Sequence, residues 1–393
     1  MPSYRHAGTL PAKRHTQMRA PDGRLYQEEE IGKAGFSSDF SLLYHLNAPT
    51  DVKAVESWDE EGQGVRPNHP LLPRQMNTHK LDQGGDTTTS RKLLAANADL
   101  RMSYVAADRP SPLYRNVGGD ELYCLESGTA RMESVFGALD LGPGDLLVMP
   151  RGVIHRITPT GPEPARIFVA ESRGSIDPPR RYRSDVGQFL ERSPYNERDL
   201  RVPTAPLVSV EAGSVEVYVR HPDGNSRYTY ANHPFDVVGW DGYLYPYAFN
   251  IDEFQPYTNR LHHPPPNHQV FEAPGFVVCA YVPHVAEYHP DAVPVPYAHT
   301  NVDCDELMFW VAEATGPRAG HGIGEGAITL HPGGFTHGPR PGEIEKAVAA
   351  QKPGVLRMRD IRAIMIDTFA PLQIGESALQ CERNDYLSSW HGA

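Results

Sequence analysis

Two histidines and one glutamate in the last third of the chain have the types and spacing of metal ligands. His299 and Glu306 form an H-x-N-x4-E pattern, and His337 ends a G-x5-P-x-G-x2-H pattern that begins at Gly326. Two neutral imidazoles and one carboxylate on one face of a metal leave positions open for a substrate and dioxygen, as in non-haem Fe(II) oxygenases. A mixed nitrogen and oxygen site also accepts Mn, Ni, Co or Zn. The sequence therefore predicts a metal site at these three residues.

These patterns occur twice along the chain. Residues 114–129 align without gaps with the segment that starts at His299, and both segments contain N-V-x-x-D-E-L. Downstream, each half ends on P-x-G-x-x-H, at His155 and at His337. The first half has Tyr114 where the second has His299. Because one histidine and one carboxylate bind a metal poorly, the first copy is predicted to be structural.

The high glycine and proline content indicates that short strands and turns, and not long helices, position the candidate ligands. The 393-residue chain contains 35 Gly and 37 Pro, and both residues disfavour long helices. Short runs with partial alternation, such as LRMSYVAA and ELYCLES, are typical of strands joined by turns. The segment EIEKAVAAQ at 343–351 is the best candidate for a helix, and 181–201 is predicted to be a linker or a short surface helix.

Charge and apolar patterning exclude several classes of protein. The net charge of −12 argues against a nucleic-acid partner, whose phosphates select for clusters of Lys and Arg. No window approaches the 18 or so consecutive apolar residues of a membrane span, and the basic start lacks the apolar core of a signal peptide. The four cysteines are far apart, which favours a reducing cytoplasm.

Both repeated motifs resemble the signature motifs of the cupin superfamily, although Asn301 stands where the first motif normally has a second histidine. The resemblance implies an all-β-dominated bicupin, with two double-stranded β-helix or jelly-roll barrels, an N-terminal arm and a few short helices. The predicted divisions are an arm and irregular segment at 1–95, a first barrel with a degenerate metal site at 96–180, a linker with inter-barrel strands at 181–255, and a second barrel with the metal site and C-terminal segment at 256–393.

A narrower resemblance covers roughly residues 100–390 and is carried mainly by three segments. PFDVVGWDGYLYPYAFNIDEF (234–254), the metal motif and THGPRPGEIEKA (336–347) are similar to segments of the homogentisate 1,2-dioxygenase family. This resemblance implies Fe(II) at the three candidate ligands and a substrate-contacting histidine at His331, six residues before the last ligand. It also implies a homo-oligomer, a trimer or a hexamer.

The family has one more active-site histidine, proposed as a base, in an F-D-H-x-D-P segment. The corresponding stretch of this chain is RLHHPPPNHQVF, in which His263 fits best and His262 is the alternative. An imidazole titrates in the range needed to take a proton from a phenol. The other interpretation of this stretch is a solvated proline-rich loop.

The residues expected to meet the substrate differ from the family pattern. The family's arginine after the first metal histidine is Thr300, and its Trp-His-Gly is WDG at 240–242. Because an arginine fork is the usual partner of a carboxylate, Arg340 is predicted to contact the substrate's carboxylate instead, with Arg74 and Arg260 as alternatives. Asn301 and Tyr297 are predicted to contact the substrate as well.

Together these features predict an Fe(II)-dependent dioxygenase that uses O2 to cleave the ring of a small para-dihydroxy aromatic. With homogentisate as the substrate, the product would be maleylacetoacetate, in tyrosine and phenylalanine catabolism. Three alternatives stay open: a dioxygenase of gentisate, hydroquinone or a similar phenol, a bicupin isomerase or epimerase with a Lewis-acid metal, and a bicupin that only binds a ligand.

Overall fold

The computed structural model describes residues 3–58, 63–209, 211–263, 265–312, 322–352 and 354–391. Strands account for 40% of the residues and helices for 8%, which confirms the prediction of an all-β-dominated bicupin. Within the described residues, no helix has both the length and the apolar character needed to cross a membrane.

Strands far outnumber helices in the part of the chain that the structure describes. In chain order, the strands are β1 Arg5–Gly8, β2 Gln27–Gly32, β3 Phe40–His45, β4 Val52–Ser57, β5 Val65–Pro67, β6 Arg74–Asn77, β7 Lys92–Ala96, β8 Leu100–Ala107, β9 Leu113–Asn116, β10 Glu121–Ser127, β11 Ala130–Ser134, β12 Gly137–Leu141, β13 Asp145–Met149, β14 His155–Pro159, β15 Ala165–Ser172, β16 Leu200–Arg201, β17 Val215–Arg220, β18 Ser226–Tyr230, β19 Val237–Gly242, β20 Tyr247–Asn250, β21 Gln269–Ala273, β22 Phe276–Tyr281, β23 His284–Val285, β24 Asp305–Trp310, β25 Ala327–His331, β26 Met358–Arg359, β27 Ala363–Thr368 and β28 Gln373–Gly375. The α-helices are α1 Glu343–Ala349 and α2 Glu376–Gln380, and the 3-10 turns are Ala34–Phe36, Thr78–Lys80, Arg180–Tyr182, Ile251–Glu253, Pro265–His268 and Leu387–Trp390.

The chain forms two compact units that interleave along the sequence. The first unit contains Met1–Gly62, Gly84–Arg91 and Val105–Asn250, and the second contains Gln63–Gln83, Lys92–Tyr104 and Ile251–Ala393. This grouping differs from the predicted division, because the N-terminal arm and most of the predicted linker belong to the first unit. Two short pieces of the predicted irregular segment belong to the second unit.

Two runs of strands enclose the core of the first unit. One run has the order β16-β20-β13-β10-β15, and the other has the order β12-β11-β14-β9-β17-β18-β4. Both runs contribute side chains to one hydrophobic core, including Tyr123, Leu147 and Val169 from the first run and Met132, Ile157 and Val217 from the second. Burial of apolar surface between two sheets is what stabilises a barrel of this type.

The N-terminal arm forms a sheet with strand β19, in the order β1-β19-β3-β2. Strand β19 comes from the FDVVGWDG block, and its Trp240 donates a hydrogen bond from Nε1 to the carbonyl oxygen of Phe136 at 2.7 Å. Asp241 accepts hydrogen bonds from the hydroxyl of Tyr4 at 2.9 Å and from Nε of Arg14 at 2.7 Å. The aspartate at this divergent position therefore anchors the arm.

The second unit is built around a sheet with the order β21-β22-β27-β24-β25-β6. Helix α1 lies within 343–351, which confirms the helix predicted there. Strands β4 to β7 lie in the segment predicted to be irregular. Strand β4 is almost entirely exposed and β6 has the sequence RQMN, so neither shows the apolar alternation by which a strand is recognised. The predicted linker at 181–201 contains the short strand β16 and turns.

The sequence repeat is also a repeat of backbone hydrogen bonds at the P-x-G turns. The amide of Gly152 donates to the carbonyl oxygen of Asn116 at 2.7 Å, and the amide of Gly334 donates to that of Asn301 at 2.7 Å. Gly152 has φ of 82° and Gly334 has φ of 83°, in the left-handed region that favours glycine. The shared Asn and Gly therefore fix the turn that precedes each motif histidine.

The shared aspartate of N-V-x-x-D-E-L also stabilises the P-x-G turn, by accepting a hydrogen bond from a backbone amide of that turn. Oδ1 of Asp120 accepts from the amide of Arg151 at 2.9 Å, and Oδ1 of Asp305 accepts from the amide of Gly333 at 2.8 Å. Both aspartates are buried, so these bonds form away from water, where an unpaired carboxylate would be costly. The common motif therefore encodes a scaffold, independently of any metal.

Candidate metal centre

The two candidate histidine ligands are neighbours across an antiparallel bridge. The amide of His299 donates to the carbonyl oxygen of His337, and the amide of His337 donates back to that of His299, both at 2.9 Å. Residues directly opposite in such a pair point to the same side. The two imidazole rings accordingly lie 4.2 Å apart between centroids, at 61° to each other.

Each of these histidines is oriented by the carbonyl group two residues earlier. Nδ1 of His299 donates to the carbonyl oxygen of Tyr297 at 3.3 Å, and Nδ1 of His337 donates to that of Phe335 at 3.0 Å. A hydrogen bond of this kind fixes the ring and its tautomer, so that Nε2 is the nitrogen available to a metal. Both residues therefore present Nε2.

Glu306 faces both of these nitrogens. It lies on β24, opposite His331 of β25 and Asp367 of β27. Its Oε2 is 3.5 Å from Nε2 of His299, and its Oε1 is 3.3 Å from Nε2 of His337. The Glu306 side chain is buried and only 9% exposed, so its charge is shielded little by water.

The histidines keep Glu306 ionised despite its burial. Burial alone would raise the pKa of Glu306, but the adjacent imidazoles of His299, His331 and His337 outweigh that effect and hold this pKa well below its usual range. The neighbouring Asp367 responds in the opposite way. Burial, together with repulsion from Glu306, raises the pKa of Asp367 to about 7. One full negative charge is therefore concentrated on Glu306.

The three residues fit a metal ion. Ligand atoms of His299, Glu306 and His337 all lie within 4.8 Å of one another. Donors about 2.1 Å from a shared ion and at right angles to each other would be about 3 Å apart, close to the nitrogen-to-oxygen distances between these side chains. Nε2 of His337 is buried and makes no hydrogen bond. A buried nitrogen of this kind, aimed at a carboxylate, is the environment that a transition-metal ion satisfies.

His331 is adjacent to this cluster, and both of its ring nitrogens contact protein groups. Nδ1 donates to Oε1 of Glu306 at 2.9 Å, and Nε2 lies 3.0 Å from the hydroxyl of Tyr386. Its ring stacks on that of His337 with centroids 4.0 Å apart. His331, which is predicted to contact the substrate, therefore also hydrogen-bonds to Glu306, one of the candidate metal ligands.

Two aromatic residues near the C-terminus complete this side of the site and were not found from the sequence. Besides Tyr386, Trp390 packs edge-on against His331 at 5.9 Å and donates from Nε1 to the carbonyl oxygen of Gly338 at 3.3 Å. Tyr386 and Trp390 contact each other at 5.0 Å. They lie outside the repeated motifs, so neither spacing nor alignment of the halves could have indicated them.

The other predicted substrate-contacting residues lie at different distances from the cluster. Nδ2 of Asn301 is 3.5 Å from Oε2 of Glu306, so Asn301 belongs to the cluster. The Tyr297 side chain is 55% exposed, and its ring packs edge-on against His262. Arg340 is half-buried, and its carbonyl oxygen accepts from the amide of Glu343 at 3.1 Å, at the start of α1.

The two candidate bases have different surroundings. His262 is half-buried, its Nδ1 lies 2.7 Å from Oε1 of Glu287, and its ring centroid lies 5.0 Å from that of Tyr297. His263 is exposed. Since the main chain of Tyr297 orients His299, His262 is linked to that ligand candidate only indirectly, through Tyr297.

In the first unit, the equivalent of Glu306 is Glu121, and an arginine contacts it. Nη1 of Arg91 donates to Oε1 of Glu121 at 2.7 Å. The hydroxyl of Tyr114 donates to the same oxygen at 2.8 Å, and that of Tyr123 donates to Oε2 at 2.6 Å. His155 lies 3.1 Å from the Tyr123 hydroxyl through Nε2. All of these residues are buried.

Arg91 is itself held on several sides. Its Nη1 is 3.0 Å from Oε1 of Glu171, and its Nε donates to the carbonyl oxygen of Thr87 at 2.6 Å. The guanidinium group therefore supplies positive charge to two buried carboxylates, the role that a metal ion would have in the second unit. The interpretation of the first barrel as structural remains a prediction, and this arrangement supplies a physical reason for it.

Comparisons with known proteins indicate the family to which the chain belongs. The sequence model for the N-terminal part of homogentisate 1,2-dioxygenase matches residues 80–251. A Saccharolobus solfataricus protein with the name "Putative dioxygenase" is 36% identical over 390 residues, which cover 99% of each chain. A homogentisate 1,2-dioxygenase of Rhodopseudomonas palustris is 26% identical over 426 residues, covering 98% of this chain and 90% of that one.

Among solved structures, a cupin 2 conserved barrel domain protein from Leptotrichia buccalis matches with a TM-score of 0.31 and 9% identity, covering 75% of this chain and 96% of that one. The relationship rests on the sequence matches, the first of which extends over nearly the whole of both chains. The chain therefore belongs to the homogentisate 1,2-dioxygenase family, as a divergent member.

Proposed function

We propose that this protein is an Fe(II)-dependent dioxygenase that opens the ring of a para-dihydroxy aromatic, with homogentisate as the leading substrate. The observation that carries the proposal is the cluster of His299, Glu306 and His337, with ligand atoms within 4.8 Å of one another, in a chain of a dioxygenase family. The overall reaction adds both atoms of one O2 to the substrate as one ring C–C bond breaks.

The three ligand candidates would hold the iron through Nε2 of His299, Nε2 of His337 and the carboxylate of Glu306. When bound, Fe(II) supplies neighbouring positions for the phenol and O2 and a route for electrons from ring to oxygen. The protein contributes a carboxylate that stays ionised and two imidazoles with fixed tautomers. Asn301 and His331, which contact Glu306 from two directions, would keep that carboxylate in one orientation.

We assign proton transfer to His262 rather than to His263. A base must be held in place near the phenol, and His262 is half-buried, bonded to Glu287 and packed on Tyr297. His263 is exposed. His262 would accept the phenolic proton as the substrate binds, which favours the phenolate that chelates a metal.

Gentisate, hydroquinone or a similar phenol is the second candidate substrate class. Thr300, at the position of the family's arginine, is exposed, and its hydroxyl lies 2.7 Å from that of Thr336. A threonine cannot bind a carboxylate as an arginine fork does. Arg340 is half-buried and is the residue we propose for that contact, so substrates with and without a carboxylate must be compared.

The test is oxygen uptake by protein loaded anaerobically with one equivalent of Fe(II). Homogentisate, gentisate and hydroquinone would be compared with 3-hydroxyphenylacetate, which keeps the carboxylate and only one of the two hydroxyls of homogentisate. We expect one O2 consumed per ring opened, and none with the monophenol. Iron-loaded protein that consumes no O2 with any diol would refute the proposal. Conversion of a substrate under argon would indicate an isomerase instead.

A further inference from the structure

Glu287 lies between His262 and an arginine in the second unit. Its Oε1 is 2.7 Å from Nδ1 of His262, and its Oε2 accepts from Nη2 of Arg359 at 2.7 Å. The Glu287 side chain is 9% exposed, compared with 22% for His262 and 21% for Arg359. Both oxygens of a largely buried carboxylate are thus occupied by different partners.

The backbone fixes Glu287 and Arg359 relative to each other. Strands β23 and β26 pair antiparallel, with His284 opposite Arg359. One residue before Glu287, the amide of Ala286 donates to the carbonyl oxygen of Arg357 at 2.8 Å. Because paired strands hold both residues, the ion pair between Glu287 and Arg359 forms with little further loss of backbone entropy. The ion pair engages Oε2 of Glu287 and leaves Oε1 pointing at His262.

We propose that Glu287 is a positioning residue for His262, and that Arg359 sets how much negative charge His262 experiences. This inference rests on the proposed function. A neutral His262 donates from Nδ1 to Glu287, so its lone pair is on Nε2. As substrate binds, the O–H bond of the phenol breaks and its proton forms a bond to Nε2. The imidazolium produced is stabilised by Glu287, and the electron pair stays on the phenolate oxygen.

Two neighbouring histidines add no positive charge to this balance near pH 7. His268 and His284 interact electrostatically with His262, from the 3-10 turn at Pro265–His268 and from β23. Burial lowers the pKa of His268 to about 3 and lowers that of His284 as well. Both rings are therefore neutral near pH 7, and Tyr297 contributes an uncharged ring.

His45 in the first unit shows what a histidine does without an arginine on its carboxylate partner. Nδ1 of His45 is 2.6 Å from Asp236, and its Nε2 is 3.0 Å from Glu29. Burial opposes protonation, but the two carboxylates outweigh it and raise the pKa of His45 to about 9. A histidine held in this way stays charged and cannot accept a proton. His262 has one carboxylate, and that carboxylate is shared with Arg359.

The test is a titration of His262 in the metal-free full chain by nitrogen-detected imidazole NMR, which reports both proton affinity and tautomer. The His262 signals are assigned by their loss in His262→Gln. Glu287→Gln keeps a hydrogen-bond acceptor and removes the charge, so we expect proton affinity to fall about tenfold. Arg359→Met should raise it by a similar factor. Asp291→Asn, which removes an exposed carboxylate four residues from Glu287, is the matched control and should change nothing.

An unchanged His262 titration in Glu287→Gln would overturn the inference. If Glu287→Gln does not fold, the test rests on Arg359→Met, in which we expect the proton affinity of His262 to rise. An unchanged His262 titration in Arg359→Met would also overturn the inference. With an active substrate, the acid limb of kcat/KM should move in the same direction as the NMR titration. A shifted titration in a protein that opens no diol would instead refute the proposed function while retaining the pairing of His262 with Glu287.

Discussion

Replacing Arg91 with methionine should destabilise the first unit by removing the guanidinium group that contacts Glu121. The carboxylate of Glu121 is 1% exposed and Arg91 is 2% exposed, so water cannot take the place of the lost cation. Breaking a buried ion pair by removing one partner costs about 3–5 kcal/mol. Glu121 would keep its bonds to the hydroxyls of Tyr114 and Tyr123, which favours the lower end of that range. For a unit of this size, about 3 kcal/mol corresponds to roughly 6–12 °C in Tm.

The dependence on pH separates lost charge from lost packing. Burial would raise the pKa of Glu121, but Arg91 outweighs it and lowers this pKa. The stability from the pair is therefore present above the carboxyl pKa of the unfolded chain and is lost as pH falls through the lowered folded value. Without Arg91, burial raises the pKa of Glu121, and protonation relieves the unpaired charge. The difference between wild type and Arg91→Met should be largest near pH 7 and smaller near pH 5.

The assay is calorimetric unfolding of both proteins at several pH values between 5 and 8. Arg131→Met is the control, because Arg131 pairs with a 79% exposed Asp140, and surface pairs contribute at most about 1 kcal/mol. In the double variant Arg91→Met/Glu121→Gln, the loss should be smaller than in Arg91→Met alone. The assignment of Arg91 as the charge partner of Glu121 would be refuted if the stability difference between wild type and Arg91→Met stayed constant with pH and the stability losses of the two substitutions were strictly additive.

Two further predictions concern histidines. His337→Ala should reduce bound metal, measured by plasma mass spectrometry after iron loading, at least tenfold, whereas His155→Ala should retain one ion per chain; loss of metal in His155→Ala alone would assign the metal to the first unit. His45 has a pKa raised to about 9, so its contribution to stability is full below the ordinary histidine pKa and is lost as pH rises through 9. Denaturant midpoints of wild type and His45→Gln should therefore differ most near pH 6 and converge near pH 10.

The parts of the site that the sequence predicted are those encoded by local spacing. His299, Glu306 and His337 were predicted because they belong to two short motifs that recur in both halves, and hydrogen bonds join these two motifs at the turn. Tyr386 reaches His331 from 55 residues away. Arg91 lies before the first motif altogether. Contacts of this kind depend on how separate strands pack, which no periodicity in a single sequence records.

The fold was predictable at the level of class and less so at the level of strands. Buried strands such as β10 and β13 are apolar runs bounded by turns, and they were recognised in ELYCLES and DLLVMP. Strand β4 has an exposed surface, and β6 carries polar side chains among its four residues. Their pairing is determined by the neighbouring strands β18 and β25. The sequence favoured His263 over His262 as the base, and our proposal reverses that order for a similar reason, since an imidazole becomes a base through its partners.

The two halves of the chain share one scaffold, and we propose that they differ in the cation that the glutamate holds. In both, an Asn carbonyl group and an Asp carboxylate fix the P-x-G turn, and the histidine that follows donates from Nδ1 to a backbone carbonyl. The first half is predicted to lack a metal site although it retains the histidine and the glutamate. In the first unit, Tyr114 contributes a hydroxyl donor where an imidazole acceptor would be needed, and Arg91 already neutralises Glu121 and would repel a divalent ion. Both differences favour a carboxylate that accepts hydrogen bonds. Glu306 instead remains ionised among three imidazoles, and two of these, His299 and His337, are the proposed metal ligands. The motif therefore builds the turn in both halves, and the residues around its glutamate decide whether that turn positions a structural histidine or a metal ligand.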